Sequence, residues 1–482
     1  MTATVTAGSP RTATADRPAG DRTAPAAPNR RRWIALAVVS AASALDTAGF
    51  AVANTAMPEI GRQLGMGAAA LPWIMTVYAL AFGGFLLFGG RAADVLGRRR
   101  MLLAGLLVFA GGSALAAAAP TAGLLIGGRA LQGLGAALSG PPALALIASI
   151  FPEGRERARA MGIYVAISAS SFAGALVFGG LLTSAAGWRA TFVALLAVAA
   201  LATVVGARVL PSGGARTRGS LDIPGAALIT AGLMALVYGV TQAEGAGFAA
   251  PAVLLPLAAA VLLLAGFVVR ERTAAQPLMP PALLRVRTVR AATVAGVLFY
   301  ATMVGLLFFA PLYLQGLRGW SPIESGLAVA PMGVTVAATT GLSARILGRL
   351  GRRGTLVLGF TTMALGLGGW LLVGLHTPYP AVMLPAIVVQ SFGQTLAYTA
   401  MMDAALAGVP GERHGVAGAV NITAQQIGSG LGTAILALVA ASAGTAGRAG
   451  TLAGYHAGTA TAIGFGVAAA VLVPLLLPRG RR

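Results

Sequence analysis

The chain has 482 residues, of which 57% are hydrophobic and only 10% are charged, and its mean hydropathy is +0.82. Repeated runs of about 18 or more apolar residues predict several transmembrane helices and exclude a soluble fold. The 34 basic residues are all arginine, and with 13 acidic residues they leave a net charge of +21. Because the arginines are spread over the ends of the apolar runs, a nucleic-acid-binding protein is also excluded.

Several kinds of chemistry lack the residues they need. The chain has no cysteine, which excludes disulfides, zinc–thiolate sites and thiol catalysis. Its three histidines, His376, His414 and His456, are far apart and show no metal-ligand spacing. Without lysine there is no phosphate-binding G-x-x-x-x-G-K loop, and no nucleophile–base arrangement is visible. We therefore expect neither an ATP-driven pump nor an enzyme, and no cofactor or metal; an ion gradient remains as the energy source.

The apolar runs predict fourteen spans. Residues 1–29 are rich in Ala, Thr, Pro and Arg, which predicts a disordered tail. The run that follows is too long for a signal-peptide core of roughly 7–15 residues, so we expect it to stay in the membrane. The predicted spans are 33–56, 71–90, 101–119, 124–149, 160–184, 190–210, 224–242, 250–270, 291–315, 324–346, 354–375, 379–402, 418–440 and 456–477.

The arginines predict the orientation of these spans. With a cytoplasmic N-terminus, 29 of the 34 arginines fall on the cytoplasmic side. Only Arg62, Arg189, Arg318 and Arg448 fall on the opposite side, and Arg129 lies inside span 4. Cytoplasmic loops of membrane proteins carry an excess of basic residues, so this division favours fourteen spans with both termini cytoplasmic.

The loop between spans 2 and 3, residues 90–100, concentrates five charges in eleven residues. Gly90, Asp94, Gly97, Arg98 and Arg99 stand at the offsets of the G-x-L-A-D-R-x-G-R-K loop of the major facilitator superfamily, which the chain resembles here. Two other positions of that pattern are replaced. The resemblance implies an all-α integral membrane protein that alternates between two conformations. Asp94 is then expected to pair with an arginine or a helix N-terminus in one of them.

The same resemblance implies two six-helix bundles, and the sequence shows a weak duplication. Gly97-Arg98-Arg99 has a counterpart in Gly351-Arg352-Arg353, in loop 10–11 instead of loop 8–9. Spans 7 and 8 are therefore predicted to be a central inserted pair, as in the fourteen-span drug:proton antiporters. The predicted division is a tail at 1–32, an N-terminal bundle at 33–210, the insert at 211–290, a C-terminal bundle at 291–477 and a tail at 478–482.

Span 4 contains Arg129-Ala130-Leu131-Gln132-Gly133-Leu134-Gly135-Ala136-Ala137, which is similar to the R-x-x-Q-G-x-G-x-A element of the family. An arginine inside a span is unfavourable unless it faces a wet cavity or a partner. Two interpretations remain open: Arg129 couples proton movement to transport, or it makes a structural hydrogen bond to neighbouring carbonyls.

Span 1 carries Leu45-Asp46-Thr47, followed by Asn54-Thr55-Ala56-Met57-Pro58. The fourteen-span exporters place their Asp nine residues before the Pro, whereas Asp46 lies twelve residues before Pro58 and Gly49 occupies the family position. A shift of three residues is about one helical turn, so the carboxyl keeps its face of the helix. A carboxyl this deep is protonated unless it is hydrated or paired, which makes Asp46 the predicted proton carrier. The alternative is an Asp that only hydrogen-bonds a neighbouring helix.

Span 5 departs most from the family's glycine- and proline-rich antiporter pattern. Ser171 and Ala175 replace two glycines, and Leu176 replaces the proline. The small residues still permit close helix packing. The loss of the proline predicts the loss of the expected kink, and it weakens the indication of antiport.

Polar and aromatic residues within the spans are candidates for lining a substrate cavity. Gln390, Gln394 and Tyr398 recur every four residues on one face of span 12. Such a stripe faces a cavity or another helix, and both interpretations are open. The full set of candidates is Asn54, Trp73, Tyr78, Gln132, Tyr300, Gln315, Gln390, Gln394, Tyr398, Asn421 and Gln425.

The resemblance to the fourteen-span drug:proton antiporters thus implies a secondary transporter that exports a small amphipathic organic compound, such as a drug or antibiotic, in exchange for protons. The expected partners are the substrate, protons and the lipid bilayer, with the monomer as the functional unit in a bacterial cytoplasmic membrane. Two alternatives remain: a facilitator or proton symporter of a small metabolite, and a non-transporting membrane sensor with the same fold.

Overall fold

A computed structural model describes residues 29–67, 70–152, 154–211, 221–247, 249–274, 277–279, 281–410 and 414–477. The predicted tails fall outside the described residues except at 29–32. The helices are α1 Asn29–Gln63, α2 Trp73–Leu96, α3 Arg98–Ala117, α4 Ala122–Ile150, α5 Arg155–Ala186, α6 Trp188–Val209, α7 Ile223–Ala246, α8 Pro251–Thr273, α9 Pro281–Arg285, α10 Arg287–Pro311, α11 Pro322–Val329, α12 Pro331–Trp370, α13 Leu384–Leu406, α14 His414–Ala443 and α15 Arg448–Leu476. Short π-helical segments, Leu312–Leu317 and Tyr379–Met383, extend α10 and precede α13.

The described helices confirm an all-α membrane fold. Twelve are long and apolar enough to cross a bilayer, or thirteen when the two parts of the bent helix α5 count as one span. One of the twelve, residues 322–370, has 49 residues, about twice the length that a span requires. Fourteen spans result only when this segment is counted as two.

Helix α12 contains a break that supports counting it twice. Gly351 has φ 64° and ψ 176°, which is far from helical geometry. Gly187, between α5 and α6, has nearly the same dihedral angles, φ 79° and ψ 165°, and Gly97, between α2 and α3, also has positive φ. These glycines join consecutive helices because a residue with a Cβ rarely adopts positive φ. We call residues 331–350 and 352–370 the first and second arms of α12.

Glycine contacts confirm the internal duplication. On α3, Gly105 and Gly112 lie eight and fifteen residues after Gly97, and on the second arm Gly359 and Gly366 lie at the same distances after Gly351. A Cβ at Gly105 would come within 2.6 Å of a backbone nitrogen of α4, and a Cβ at Gly359 within 2.5 Å of one of α13. The pair α3–α4 and the pair formed by the second arm and α13 therefore pack backbone against backbone in the same register.

The expectation that span 5 loses its kink is wrong. Helix α5 bends by 42° between its parts 155–172 and 174–186, although it contains no proline. The hydroxyl of Ser171 donates to the carbonyl of Ile167, at 2.6 Å, in the turn before the bend. Serine bonds of this kind compete with the helix ladder and bend helices, and Gly174 adds backbone freedom.

Helices α7 and α8 pack together, and α7 lies against one helix of each bundle, α2 and α14. Thr230 of α7 lies against Gly84 of α2, and α7 also contacts α14. An apolar cluster joins Leu80 of α2, Leu233 of α7, Phe267 of α8 and Ala434 of α14. These contacts agree with a pair inserted between two bundles, and the domain division itself remains our prediction.

The described hydrogen bonds between the bundles lie away from one end of the molecule. We call the side where α1 and α5 begin the arginine-rich side, and the side where they end the arginine-poor side. Between the bundles, α1 contacts α10, α5 contacts α11 and α2 contacts α14. A Cβ at Gly180 of α5 would lie 2.5 Å from the carbonyl oxygen of Pro322. Among the described residues, the hydrogen bonds between the bundles lie on the arginine-poor side or in the middle of the helices, and none joins the arginine-rich ends.

Candidate functional site

Arg129 is fully buried where α1, α2 and α4 meet. Its Nη1 donates to the carbonyl of Gly49, at 2.7 Å, and its Nε to the carbonyl of Ile74, at 2.8 Å. The guanidinium also lies 4.5 Å from the ring centroid of Tyr78. Arg129 thus makes the structural hydrogen bonds of the second interpretation and fastens α1 and α2 to α4. Its Nη2 has no partner among the described residues, and its part in coupling remains a prediction.

Gln132 completes this polar cluster one turn further along α4. Its Oε1 accepts a second bond from Arg129 Nη1, at 2.8 Å, and its Nε2 donates to the hydroxyl of Ser113, at 2.8 Å. Ser113 in turn donates to the carbonyl of Phe109. All polar atoms of the Gln132 amide are therefore bonded, so Gln132 orients Arg129 here and lies in a closed environment.

Asp46 lies on α1, one turn before Gly49, and is half-buried. The hydroxyl of Ser139 on α4 lies 3.5 Å from Asp46 Oδ1, which is a weak contact. Among the described residues, the Asp46 carboxylate has no ion pair. The phenol of Tyr78 donates to the backbone carbonyl of Asp46, at 2.7 Å. Tyr78 therefore contacts both Asp46 and Arg129. A movement of α1 that follows a change in the charge of the Asp46 carboxyl would also shift Tyr78 and the Arg129 guanidinium.

Gly49, which stands where the exporters have their Asp, leaves little room for a side chain. A Cβ there would lie 3.1 Å from the ring of Phe109 and 3.5 Å from that of Tyr78. The bare carbonyl of Gly49 instead accepts the bond from Arg129. The three-residue displacement of the acid therefore has a physical reason, because this space is filled by aromatic rings.

Two amide side chains join the bundles on the arginine-poor side. Asn54 of α1 donates to the carbonyl of Leu307 on α10, and Gln315 donates to the carbonyl of Thr55 on α1, at 3.0 Å. Each bundle thus provides one donor and one carbonyl. Both side chains are buried, so Asn54 and Gln315 lie in a closed contact between the bundles, which we call the amide clasp.

The C-terminal bundle presents an aromatic group that includes two of the predicted residues. The ring of Phe299 lies 5.5 Å from that of Tyr300 and 5.8 Å from that of Tyr398. Tyr398 is 42% exposed, and Gln394, one turn earlier on α13, has a buried Oε1 without a partner among the described residues. These side chains can meet a flat organic molecule, and that role remains a prediction.

The remaining candidates are placed differently. Asn421 donates to the carbonyl of Ala292, at 2.7 Å, and accepts from Gln425, at 2.7 Å, which ties α14 to α10. Trp73 lies 6.1 Å from the ring of Tyr238 on α7, so its ring meets the inserted pair. Gln390 is fully buried against Gly366, and neither of its amide atoms has a partner among the described residues.

The charged loop lies at the arginine-rich side, between α2 and α3. Gly97 has φ 102°, and Arg98 and Arg99 donate to carbonyls at the ends of α4 and α6. A Cβ added at Gly90 would lie 3.7 Å from the side chain of Pro141 on α4. Asp94 is exposed and has no ion pair among the described residues. This arrangement fits the conformation in which the predicted Asp94 contact is open.

Sequence reasoning missed the partners that hold the site together. Ser139 follows Gln132 by seven residues, about two helical turns, so helical periodicity could have placed it on the same face of α4. Ser113 could not be found in this way, because its contact with Gln132 depends on the glycine-set register of α3 against α4.

Two related helical bundles, one of which buries a polar cluster among its spans, define a polytopic membrane protein of the transporter class. A family model described as Major Facilitator Superfamily matches residues 39–433, so the chain belongs to this superfamily. Membership of a family of transporters also confirms that the chain is not an enzyme.

Individual proteins agree with this assignment. The puromycin resistance protein pur8 of Streptomyces alboniger is 38% identical, over 93% of this chain and 92% of its own length. The tetracenomycin C resistance and export protein of Streptomyces glaucescens is 34% identical, over 89% and 80%. The crystal structure of the POT family transporter PepTSo superposes with a TM-score of 0.67 at 15% identity, covering 92% of this chain and 97% of that one, which shows a shared fold.

Proposed function

We propose that this protein exports an antibiotic or a similar small amphipathic compound across a bacterial plasma membrane. The observation that carries the proposal is the similarity to resistance and export proteins over nearly the whole chain, including 93% of it for the puromycin resistance protein. The polar site at Asp46 and Arg129, and the aromatic group around Tyr398 in the other bundle, supply the groups that such a cycle needs.

In this proposal the arginine-rich side is cytoplasmic, and the described conformation is open toward it. The amide clasp and the Gly180–Pro322 contact hold the arginine-poor ends together. Substrate enters from the cytoplasm and reaches the aromatic group around Tyr398. It leaves after the contacts on the arginine-poor side have opened and the arginine-rich ends have closed. A change of state of this kind requires only that substrate and proton prefer different conformations.

We place the proton on Asp46 when the cavity faces outward. An uncharged carboxyl interacts differently with Ser139 and with the adjacent cluster, and Tyr78 connects Asp46 to Arg129. Release of the proton to the cytoplasm then restores a negative charge near the guanidinium. Proton antiport is the form of transport that this arrangement favours, and we propose that a single chain carries it out.

The test is growth protection in an efflux-deficient bacterial host. The panel includes puromycin and tetracenomycin C, the compounds in the names of the two relatives. Native protein at verified membrane levels should raise the inhibitory concentration of at least one compound severalfold, and uncoupling the proton gradient should abolish the protection. Protection that persists without the gradient would point to the facilitator alternative, and no protection at all would favour the sensor.

A further inference from the structure

A basic pocket of about 550 Å³ lies between α1 and α5, apart from the residues of the transport site. Its walls are Trp33, Arg155, Glu156, Arg159 and Ile163. Trp33 is the first apolar residue after the arginines that open α1, and Arg155 is the first residue of α5. Both helices enter the bilayer at this point, and tryptophan is common at that depth. The pocket therefore lies at the level of the phospholipid headgroups.

The pocket carries uncompensated positive charge. Arg155 and Arg159 are exposed and lie four residues apart, on one face of α5. In the part of the chain that the structure describes, neither has an ion pair with a carboxylate. The carboxylate among the pocket residues, Glu156, lies 3.6 Å from Arg32, which neutralises it. Two guanidinium groups thus remain to attract an anion.

The pocket also has an apolar wall. The guanidinium of Arg159 lies 5.3 Å from the ring centroid of Trp33, and the Trp33 ring also packs edge-on against Phe151. Ile163 follows Arg159 by one turn, deeper along α5. Cationic groups at the mouth and apolar groups deeper in the bilayer match a molecule with a charged head and a hydrocarbon tail.

We propose that this pocket binds the headgroup of an anionic phospholipid, with Arg155 and Arg159 on the phosphate and the acyl chain along Trp33 and Ile163. The planar guanidinium matches phosphate oxygens in paired hydrogen bonds. Basic pockets between membrane helices on this side of the bilayer are typical sites for acidic headgroups. Free phosphate could bind the same two arginines as a lipid headgroup, but it would make no contact with the apolar wall.

The experiment titrates delipidated full-length protein with phosphatidylglycerol, phosphatidylcholine or inorganic phosphate and counts bound molecules by native mass spectrometry. The pocket variant is Arg155→Gln with Arg159→Gln. The matched control is Arg287→Gln with Arg290→Gln, which removes two exposed arginines at the start of α10. Each arginine contributes about fivefold to binding, so we expect phosphatidylglycerol to bind about 25-fold more weakly to the pocket variant and within about twofold of native to the control.

Equal losses in both double variants would overturn the proposal, because they would show a general charge effect. Inorganic phosphate that competes with phosphatidylglycerol at similar concentration would replace the lipid with a free anion and would also overturn it. If the double variant does not fold, Arg159→Gln alone should weaken phosphatidylglycerol binding about fivefold and Arg159→Lys less. An unchanged affinity in Arg159→Gln would contradict the assignment.

Discussion

At the scale of single residues, Gln132 and Gln390 occupy equivalent places in the two bundles. A Cβ at Gly112 would lie 2.7 Å from the backbone nitrogen of Gln132, and a Cβ at Gly366 would lie 2.4 Å from that of Gln390. By the same register, the partners of Gln132, which are Arg129 and Ser113, correspond to Ile387 and Leu367. The duplication therefore explains why the amide of Gln390 is buried without hydrogen bonds.

This comparison predicts opposite effects of the same substitution. Gln390→Leu removes an amide whose burial without partners costs about 1–3 kcal/mol, and it should raise the thermal midpoint in detergent. Gln132→Leu leaves Arg129 and Ser113 without a partner and should lower it by several degrees. The midpoint can be followed as the loss of the monodisperse peak after heating. Equal destabilisation by both changes would show that the Gln390 amide is bonded in the native protein.

The sequence was sufficient to mark Arg129, Gln132 and Asp46, because polar residues are rare inside these spans. It could not tell that Tyr78, proposed for substrate contact, supports Arg129 and bonds the carbonyl of Asp46. That role depends on how α1, α2 and α4 meet. Asn54 could likewise be selected from the sequence as a candidate site residue. Its role in the amide clasp could not be predicted, because it depends on the contact with Leu307 of the other bundle.

At the scale of elements, glycine sets both the reversals and the close helix pairs. Positive φ at Gly97 and Gly351 allows one helix to end and the next to begin within a single residue. The sequence anticipated the duplication from the charged residues after each of these two glycines. It could not anticipate the bend of α5. The Ser171 hydroxyl bond that favours the bend has no sequence signature that distinguishes Ser171 from other serines in helices.

The reversal glycines should be sensitive to a single methyl group. Gly97→Ala places a Cβ on a residue with φ 102°, which costs about 1–3 kcal/mol. Gly351→Ala should behave similarly. Gly348→Ala is the control, because Gly348 is helical and exposed, with open space around an added Cβ, and alanine there should be neutral or stabilising by up to about 1 kcal/mol. A thermal midpoint of Gly348→Ala lower than that of Gly97→Ala or Gly351→Ala would contradict the backbone geometry at these reversals.

At the scale of the whole molecule, contacts on the arginine-poor side hold the described conformation. Gly180 lies against the backbone of Pro322 and Ile323, so an added methyl group has nowhere to go while α5 and α11 touch. Because these atoms are backbone, relief requires the two bundles to move apart at this end. The balance of conformations should then shift toward the one that is open on this side.

Gly180→Ala should therefore expose the amide clasp. The natural chain has no cysteine, so Thr55→Cys introduces a single thiol at a buried position of the clasp. A membrane-impermeant maleimide added from the arginine-poor side should label it severalfold faster when Gly180→Ala is present. Gly162→Ala on the same helix, far from the bend, meets no atom within 4 Å and serves as the control. The same labelling rate in both backgrounds would mean that the Gly180 contact does not hold the conformation.

The whole-molecule account also explains why the four arginines of the arginine-poor side are tolerated there. Arg189, Arg318 and Arg448 donate to the carbonyls of Ala119, Thr377 and Leu317, and Arg62 pairs with Glu59. Charge counting could place the four arginines on this side, but it could not show that Arg189, Arg318 and Arg448 hold other helix ends or loops in place.

The most direct test of proton-coupled export through Asp46 uses reconstituted vesicles and the compound that gives the strongest growth protection. A pH-sensitive dye inside the vesicles reports protons that move when that compound is added. Native protein and Glu59→Gln, which alters an acid at the arginine-poor end of the same helix, should show compound-dependent proton movement. Asp46→Asn should bind the compound and move no protons. Undiminished proton movement in Asp46→Asn would place the coupling group elsewhere and contradict the mechanism proposed for α1.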